Sequence, residues 1–393
     1  MRRFIREFNW ISFLSMIALV AVGASVLASA GAARAEMDPA AASMAGKWKV
    51  MLGTSAVGLV CYFALAFSDY RKILDWTAYP AYGVALAFLA LVLLCGSEQF
   101  GGRRWLWFFQ PSETAKFAVI ACLAHLYGQE GEQFAGQFRF RGFLVACAIV
   151  AVPCGLILLE PDLGTALTLL PAVTVMLLAA GVWRKGMVLL LAGGAVAATA
   201  VLGAVYEAER PGTPPARREA ILKYTPLEDH QVARVKTFLF PSEDSQGDGY
   251  NLAQAKKTIA AGGIDGAGWG RGGAIRERTL PPKVSMNDFI FCVWAEEMGY
   301  VKGSLFLLAL YGILCVSTLF TLFSASDGRG RLLVLGVVTL VFAHVYINIG
   351  MSIGLVPITG LPLPFLSLGR TFLVTVMCCL GLVQSVALHR EES

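Results

Sequence analysis

Charge is what this sequence has least of. Lys, Arg, Asp and Glu make up 15% of its 393 residues, where a soluble domain carries roughly 25%. With 56% of residues hydrophobic and a mean hydropathy of +0.64, the composition excludes a water-soluble globule and a disordered chain. A net charge of +5, from 32 basic against 27 acidic residues, is too small to point to a nucleic-acid partner. Histidine is scarcer still: there are four, and His125 and His344 sit in apolar runs without partners at metal-ligand spacing. The nine cysteines form no CxxC pair and nearly all lie inside apolar runs, so they read as small buried hydrophobes, not as a disulfide or zinc framework. No internal repeat of the kind transporters carry is visible.

Long apolar runs are what the chain has instead. Ten candidates stand at residues 10–31, 48–67, 73–95, 112–128, 142–159, 162–183, 186–206, 289–324, 331–352 and 371–388. A span needs roughly 20 apolar residues to cross the hydrocarbon core, so the expected fold is an all-α integral membrane protein of about ten transmembrane helices, a single polytopic domain over residues 1–393. The fourth run is the weakest, short and carrying Lys116 and His125. The eighth is too long for one straight span, which predicts first turns at the interface or a tilted helix. Basic residues mark every second gap: Arg2, Arg3 and Arg6; Arg71 and Lys72; Arg139 and Arg141; Arg184 and Lys185; Arg329 and Arg331; Arg390. Basic loops stay cytoplasmic, so both termini are expected inside, although Lys47, Lys49, Arg103 and Arg104 fall in the opposite gaps. Ala33-Arg34-Ala35 imitates a signal-peptidase site, but the run before it exceeds the usual roughly 7–15-residue signal core, and a retained first span is expected.

Polarity is concentrated in residues 207–288, which hold 23 of the 59 charged residues and are expected as one large extracytoplasmic loop. Aromatics and aliphatics interleaved with charge predict short helices at 229–240 and 250–261, lying on the bilayer or plugging the bundle. Residues 262–273 contain seven glycines and a formal GxGxxG match at Gly268, Gly270 and Gly273. No hydrophobic strand precedes that match, so it is not a dinucleotide site. So much glycine allows close backbone approach to a bulky ligand, or a mobile loop.

Four segments on the outer side carry the remaining polar groups. The first holds Arg104-Trp105 and Gln110-Pro111-Ser112-Glu113 with Lys116. The second is Glu160-Pro161-Asp162-Leu163-Gly164-Thr165-Ala166. The third runs from Arg234, Phe238, Pro241, Asp244, Gly247, Gly249, Tyr250 and Gln254 to Asn287-Asp288-Phe289-Ile290-Phe291 with Glu296-Glu297. The fourth is Asn348-Ile349-Gly350-Met351 with Thr359-Gly360-Leu361-Pro362-Leu363-Pro364-Phe365. On the residues alone each has an architectural reading. Asp288 stands where a helix N-cap is needed, Lys116 can snorkel to the interface or share a helix face with Glu113, and Pro161 with Asp162 can start a helix. Asn348 and the proline-rich turn can shape a cavity.

In this order the motifs resemble those of the SEDS family (shape, elongation, division and sporulation) over residues 10–388, and Trp269 after Gly268 leans toward the RodA branch over the FtsW branch. The resemblance implies a GT-C-like membrane glycosyltransferase that polymerises lipid II into glycan strands outside the bacterial cytoplasmic membrane, serving cell elongation and usually paired with a class B penicillin-binding protein. It implies Asp288 as the catalytic base and Arg104, Trp105, Glu113, Lys116, Arg234, Tyr250 and Gln254 as substrate-binding residues. Such a base removes the proton of the attacking sugar hydroxyl. A diphosphate leaving group calls for cations, for which Arg104, Lys116 and Arg234 are candidates, and makes Mg²⁺ or Mn²⁺ plausible as a cofactor. A lipid II flippase, a septal polymerase and a non-catalytic scaffold are the competing readings. The chain departs from the family pattern at Glu160 (usually Gln), Met286-Asn287 (usually His-Thr) and Arg370-Thr371 (usually Gly-Ser), and its turn from Trp105 to Gln110 is shorter.

Overall fold

A computed structural model describes residues 6–37, 43–99, 102–107, 109–129, 139–160, 162–225, 227–241, 247–273, 280–281 and 285–390. Arg2, Arg3, Pro161 and Asp244 lie outside them.

Helices occupy all ten apolar runs. They are α1 (Trp10–Met37), α2 (Lys47–Phe67), α3 (Tyr70–Cys95), α4 (Pro111–Gly128), α5 (Arg139–Leu159), α6 (Leu163–Ala179) and α7 (Arg184–Glu209). Three loop helices follow, α8 (Pro215–Leu222), α9 (Asp229–Leu239) and α10 (Asp248–Ala261), then α11 (Ile290–Met298), α12 (Ser304–Phe320), α13 (Gly328–Ile353) and α14 (Arg370–Leu388). Among the described residues, eight helical stretches are long and apolar enough to cross a bilayer; α4 and α6 are shorter or more polar. A small antiparallel hairpin, β1 (Ser97–Gln99) and β2 (Gly102–Trp105), stands between α3 and α4.

The eighth run, expected to place its first turns at the interface or to tilt, is one long stretch with a break near its start. Between α11 and α12 the helix passes through a π-turn at Gly299–Gly303, and Gly299 has φ of +90°, which a side chain would disfavour. The break leaves α11 as a nine-residue piece, buried at every position from Ile290 to Glu297.

Helix starts are fixed by short polar side chains. Asp69 accepts from Arg71 N–H at 3.0 Å, Asp162 from Thr165 N–H at 3.1 Å, and Asp327 from Gly330 N–H at 2.9 Å. α4 has proline at its first position and Glu113 in its first turn, as the helix dipole favours. It is the innermost element, buried along almost its whole length between α3, α13, α14 and α6. A helix enclosed on all sides cannot send polar side chains to water, so Glu113 and Lys116 must find partners inside the bundle. α14 packs closely on α2, and α13 on α4 and α6.

The alternating helices bring two sets of ends together. At one end Arg71, Asp75, Asp327 and Arg329 form ion pairs of 2.7–3.6 Å that join α3 to the start of α13. At the other end lie the starts of α4, α6, α11 and α14, the ends of α5, α7 and α13, and the loop helices. α9 and α10 fall within two residues of the expected helices. α10 packs on α11 and α13 through Leu252 and Ala255 against Phe289, Cys292 and Met351. α9 is tied to α7, where Glu209, buried, pairs with Arg218 at 2.6 Å and Lys236 at 2.8 Å.

Candidate active site

Asp288 lies in the turn just before α11, half-buried, at the loop-bearing end. The residue at the helix N-cap is Phe289, one position later, so Asp288 does not take the capping role that its place in the sequence allows. Its turn is held by three consecutive carbonyls. Met286 O accepts from Leu368 N–H at 3.4 Å, Asn287 O from the Ser367 hydroxyl at 2.5 Å, and Asp288 O from the Asn348 amide at 2.9 Å. The same Asn348 amide donates to Leu361 O at 2.7 Å, so one side chain of α13 ties Asp288 to the proline-rich segment. These bonds are to backbone, which is why Met286 and Asn287 can replace other side chains without unmaking the grip. A Cβ on Gly360 would stand 3.8 Å from Asp288 Oδ2, so the carboxylate faces that turn, where Gly360 has φ of +72°.

Lys116 does not snorkel. It is fully buried, its ammonium 2.9 Å from Glu113 Oε2 and 2.8 Å from His344 Nε2. His344 Nδ1 lies 2.9 Å from Leu340 O, which makes Nδ1 the donor and leaves Nε2 to accept from the ammonium. Phe372 of α14 stacks on the His344 ring at 4.6 Å, with Lys116 5.3 Å from the Phe372 centroid. Sequence reading left His344 without a partner. Its signal was a histidine one helical turn before Asn348 on α13, and the contact joins positions 228 residues apart.

The second motif is architecture around an unusual acid. Asp162 caps α6 and also accepts from Thr165 Oγ1 at 2.8 Å, Gln110 Nε2 at 3.3 Å and Ser112 Oγ at 3.4 Å. The acid stands at the cap itself, one place before the first turn where it was expected. Arg104, half-buried in β2, donates through Nε to Glu160 O at 3.3 Å, joining the hairpin to the α5–α6 turn. The Glu160 carboxyl is fully buried, and neither oxygen has a hydrogen-bond partner among the described residues. Burial, reinforced by the Asp162 carboxylate and opposed by Arg104, pushes it up to about 8. Thr371 is also used: its hydroxyl accepts from Gln110 N–H at 3.4 Å.

Arg234 of α9 donates to Thr359 O at 3.3 Å, next to the Gly360 turn that Asp288 faces. The geometry thus gathers Asp288, Asn348, Thr359 and Arg234 on one side, and Glu113, Lys116 and His344 within the bundle. Trp105 is half-buried on the hairpin, Gln254 half-buried on α10, and Tyr250 lies on the exposed side of α10. No group of three or more His, Cys, Asp or Glu converges to hold a metal among the described residues, so no step is assigned to Mg²⁺ or Mn²⁺.

The glycine-rich segment approaches the chain's own backbone at Ala295–Gly299. Ala267 N–H donates to Glu296 O at 2.9 Å and Gly268 N–H to Glu297 O at 3.0 Å. At Gly266 a Cβ would fall 2.3 Å from Glu297 O, with φ of +85°. Gly270 and Gly273 N–H then donate to the Glu297 and Glu296 carboxylates at 3.1 and 2.9 Å, and Trp269 Nε1 to Ser25 of α1 at 3.0 Å. The segment is a strap that closes over the end of α11 and ties it to α1.

Comparison with known proteins agrees with this architecture. Peptidoglycan glycosyltransferase MrdB of Escherichia coli strain K12 is 33% identical over 351 residues, covering 88% of this chain and 87% of that protein. Stage V sporulation protein E of Bacillus subtilis strain 168 is 28% identical, covering 85% and 84%. The rod shape determining protein RodA of Thermus thermophilus superposes with a TM-score of 0.66 at 26% identity, covering 98% of each chain. A chain from a structure of a peptidoglycan synthase complex that coordinates polymerization and crosslinking superposes with a TM-score of 0.73 at 29% identity, covering 98% of this chain and 99% of that one. The model of the cell cycle protein family of FtsW, RodA and SpoVE matches residues 9–392, and the chain belongs to that family, with RodA-like relatives.

Proposed function

We propose that this chain is a peptidoglycan glycosyltransferase of the elongation type, polymerising lipid II with Asp288 as general base. The observation that carries the assignment is the grip on the Asp288 turn, which presents a carboxylate beside Gly360 and within one residue of the Thr359 carbonyl that Arg234 holds. Asp288 takes the proton of the acceptor sugar's 4-hydroxyl as its oxygen bonds to the donor's anomeric carbon. The bond from that carbon to the diphosphate oxygen breaks with its electron pair passing to the leaving polyprenyl diphosphate, inverting the centre to a β-1,4 linkage. A positioned base of this kind contributes roughly 10²- to 10⁴-fold.

The basic residues at the ends opposite the loop, Arg71 and Arg329 among them, support a bacterial cytoplasmic membrane protein with both termini inside and the residue 207–288 loop outside. Arg104, Trp105, Glu113, Lys116, Tyr250 and Gln254 complete the proposed binding residues, Glu113 and Lys116 by positioning from within the bundle. A class B penicillin-binding protein is the proposed partner, in line with the synthase complex among the similar structures. The experiment supplies lipid II to the purified protein with its partner and resolves glycan strands on a gel. Strands support the polymerase; movement of labelled lipid II between leaflets without strands supports the flippase reading, to which the buried Glu113–Lys116–His344 cluster would then belong.

A further inference from the structure

Two non-glycine residues among those described have positive φ, Trp107 at +55° and Phe365 at +66°. Trp107 is on the surface, whereas Phe365 is buried. A bulky side chain in the left-handed region is strained, and such a residue persists only where its surroundings over-determine it. Around Phe365 they do. Pro362 and Pro364 have no N–H to give, so a backbone ladder cannot hold this segment and side chains take its carbonyls. Asn348 of α13 donates to Leu361 O at 2.7 Å, and the Tyr311 hydroxyl of α12 donates to Pro364 O, one residue before the strained position. α1 closes in as well: a Cβ on Gly23 would clash with Phe365 O and with Leu366 Cα.

What the turn delivers is a hydroxyl. Past Phe365 the chain folds back, with Leu366 N–H and Ser367 N–H both donating to Leu363 O, at 3.2 and 3.0 Å. That return puts Ser367 Oγ where it accepts from Leu363 N–H at 2.8 Å and donates to Asn287 O at 2.5 Å, on the residue before Asp288. From the same turn Leu368 N–H reaches Met286 O at 3.4 Å. Two of the three carbonyl contacts that hold the Asp288 turn thus come from residues that the strained position aims. Tyr311 is 3% exposed and its ring packs in the core, so removing the hydroxyl alone leaves that packing in place.

We propose that residues 364–367 form a strained clamp on the base and that Tyr311 is a positioning residue for Asp288, acting through Pro364 and the Ser367 hydroxyl. This rests on the reading of Asp288 as general base and adds to it what keeps that carboxylate in place. Without the Tyr311 hydroxyl, Pro364 O is released and Phe365 relaxes out of the left-handed region. Ser367 and Leu368 then shift against Asn287 and Met286. A displacement of about 1 Å at a reacting group costs up to roughly 10²-fold in rate. A tyrosine that merely satisfied its own buried hydroxyl would instead lower stability and leave turnover by the folded enzyme unchanged.

The test compares wild type, Tyr311→Phe and Tyr82→Phe, each full-length and purified with its partner, in glycan polymerisation from lipid II and in hydrogen exchange read by mass spectrometry. Tyr82 is the control: its hydroxyl also donates to a backbone carbonyl, Ile149 O at 2.9 Å, but it does so between α3 and α5, away from the clamp. Tyr311→Phe should lower kcat roughly tenfold to a hundredfold at unchanged KM and speed exchange in the peptide that holds the Leu363 and Leu368 amides. Tyr82→Phe should do neither. Should Tyr311→Phe not fold, Gly23→Ala, which pushes on Phe365 O from α1, should give the same signature. A Tyr311→Phe enzyme with wild-type kcat, or one whose KM alone rises, overturns the clamp, as does a loss no greater than that of Tyr82→Phe. Because exchange needs no turnover, the two readings fail separately. Wild-type polymer with unchanged exchange in Tyr311→Phe sinks the clamp alone, and faster exchange in that variant without any polymer from wild type sinks the polymerase reading alone.

Discussion

Replacing Lys116 by methionine should destabilise the protein by about 3–5 kcal/mol, because it leaves the Glu113 carboxylate buried without its countercharge. The pair is 2.9 Å apart and at most 2% exposed on either side chain. At an effective dielectric of about 20 the attraction at that distance is about 6 kcal/mol. Most of it offsets the cost of taking both ions out of water, so the pair's net worth is small while either half alone is expensive. Glu113→Gln should cost a similar amount, since the buried ammonium then keeps only neutral acceptors, the glutamine carbonyl and His344 Nε2, and loses its countercharge. The double variant Glu113→Gln/Lys116→Met should be far less damaged than the sum, by about 3 kcal/mol. Thermal and denaturant unfolding of the four proteins in one detergent, followed by circular dichroism and tryptophan fluorescence, measures the cycle. Single-variant losses that add to within about 0.5 kcal/mol would show that the two groups do not depend on each other, and the account of α4 as an enclosed polar helix would fail.

The Glu160 carboxyl predicts a pH effect of definite sign. Its folded value of about 8 stands above the ordinary 4.5, so the folded state retains a proton that the unfolded state releases, and stability falls as pH rises across that window. Glu160→Gln removes the penalty, so the variant should gain on wild type between pH 5 and 8, by up to about 5 kcal/mol at the upper end; parallel pH profiles of Tm would contradict this. The glycine strap gives a paired comparison. Gly263 and Gly266 both have positive φ, but only at Gly266 would a Cβ meet backbone, 2.3 Å from Glu297 O. Gly266→Ala should therefore cost clearly more than the roughly 1–2 kcal/mol of Gly263→Ala and should open the strap to protease; equal losses would remove the argument from close approach.

Much of this was legible because a bilayer constrains sequence strongly. Apolar runs became helices within a few residues at most positions, and α9 appeared at Asp229–Leu239 where amphipathic spacing put it. The motif-bearing segments converge because alternate helix ends share a side of the bundle. What periodicity does not encode is which buried polar group meets which. Lys116 reads equally well as a snorkelling residue until α13 is seen to bring His344 against it. The seven glycines announce close approach, but not that the approached surface is the chain's own Glu296–Gly299 backbone. The π-turn left only a length excess and two glycines four apart, Gly299 and Gly303, as its trace.

Asp288 carries the central claim. The most direct measurement compares glycan polymerisation from lipid II by wild type and Asp288→Asn, each purified with its partner and matched for Tm. Asparagine keeps the size of the side chain, and the three carbonyl contacts of the turn are to backbone, so the variant should fold and bind as before. The predicted result is a loss of polymer of roughly 10²-fold or more. Undiminished polymer from Asp288→Asn would contradict the account.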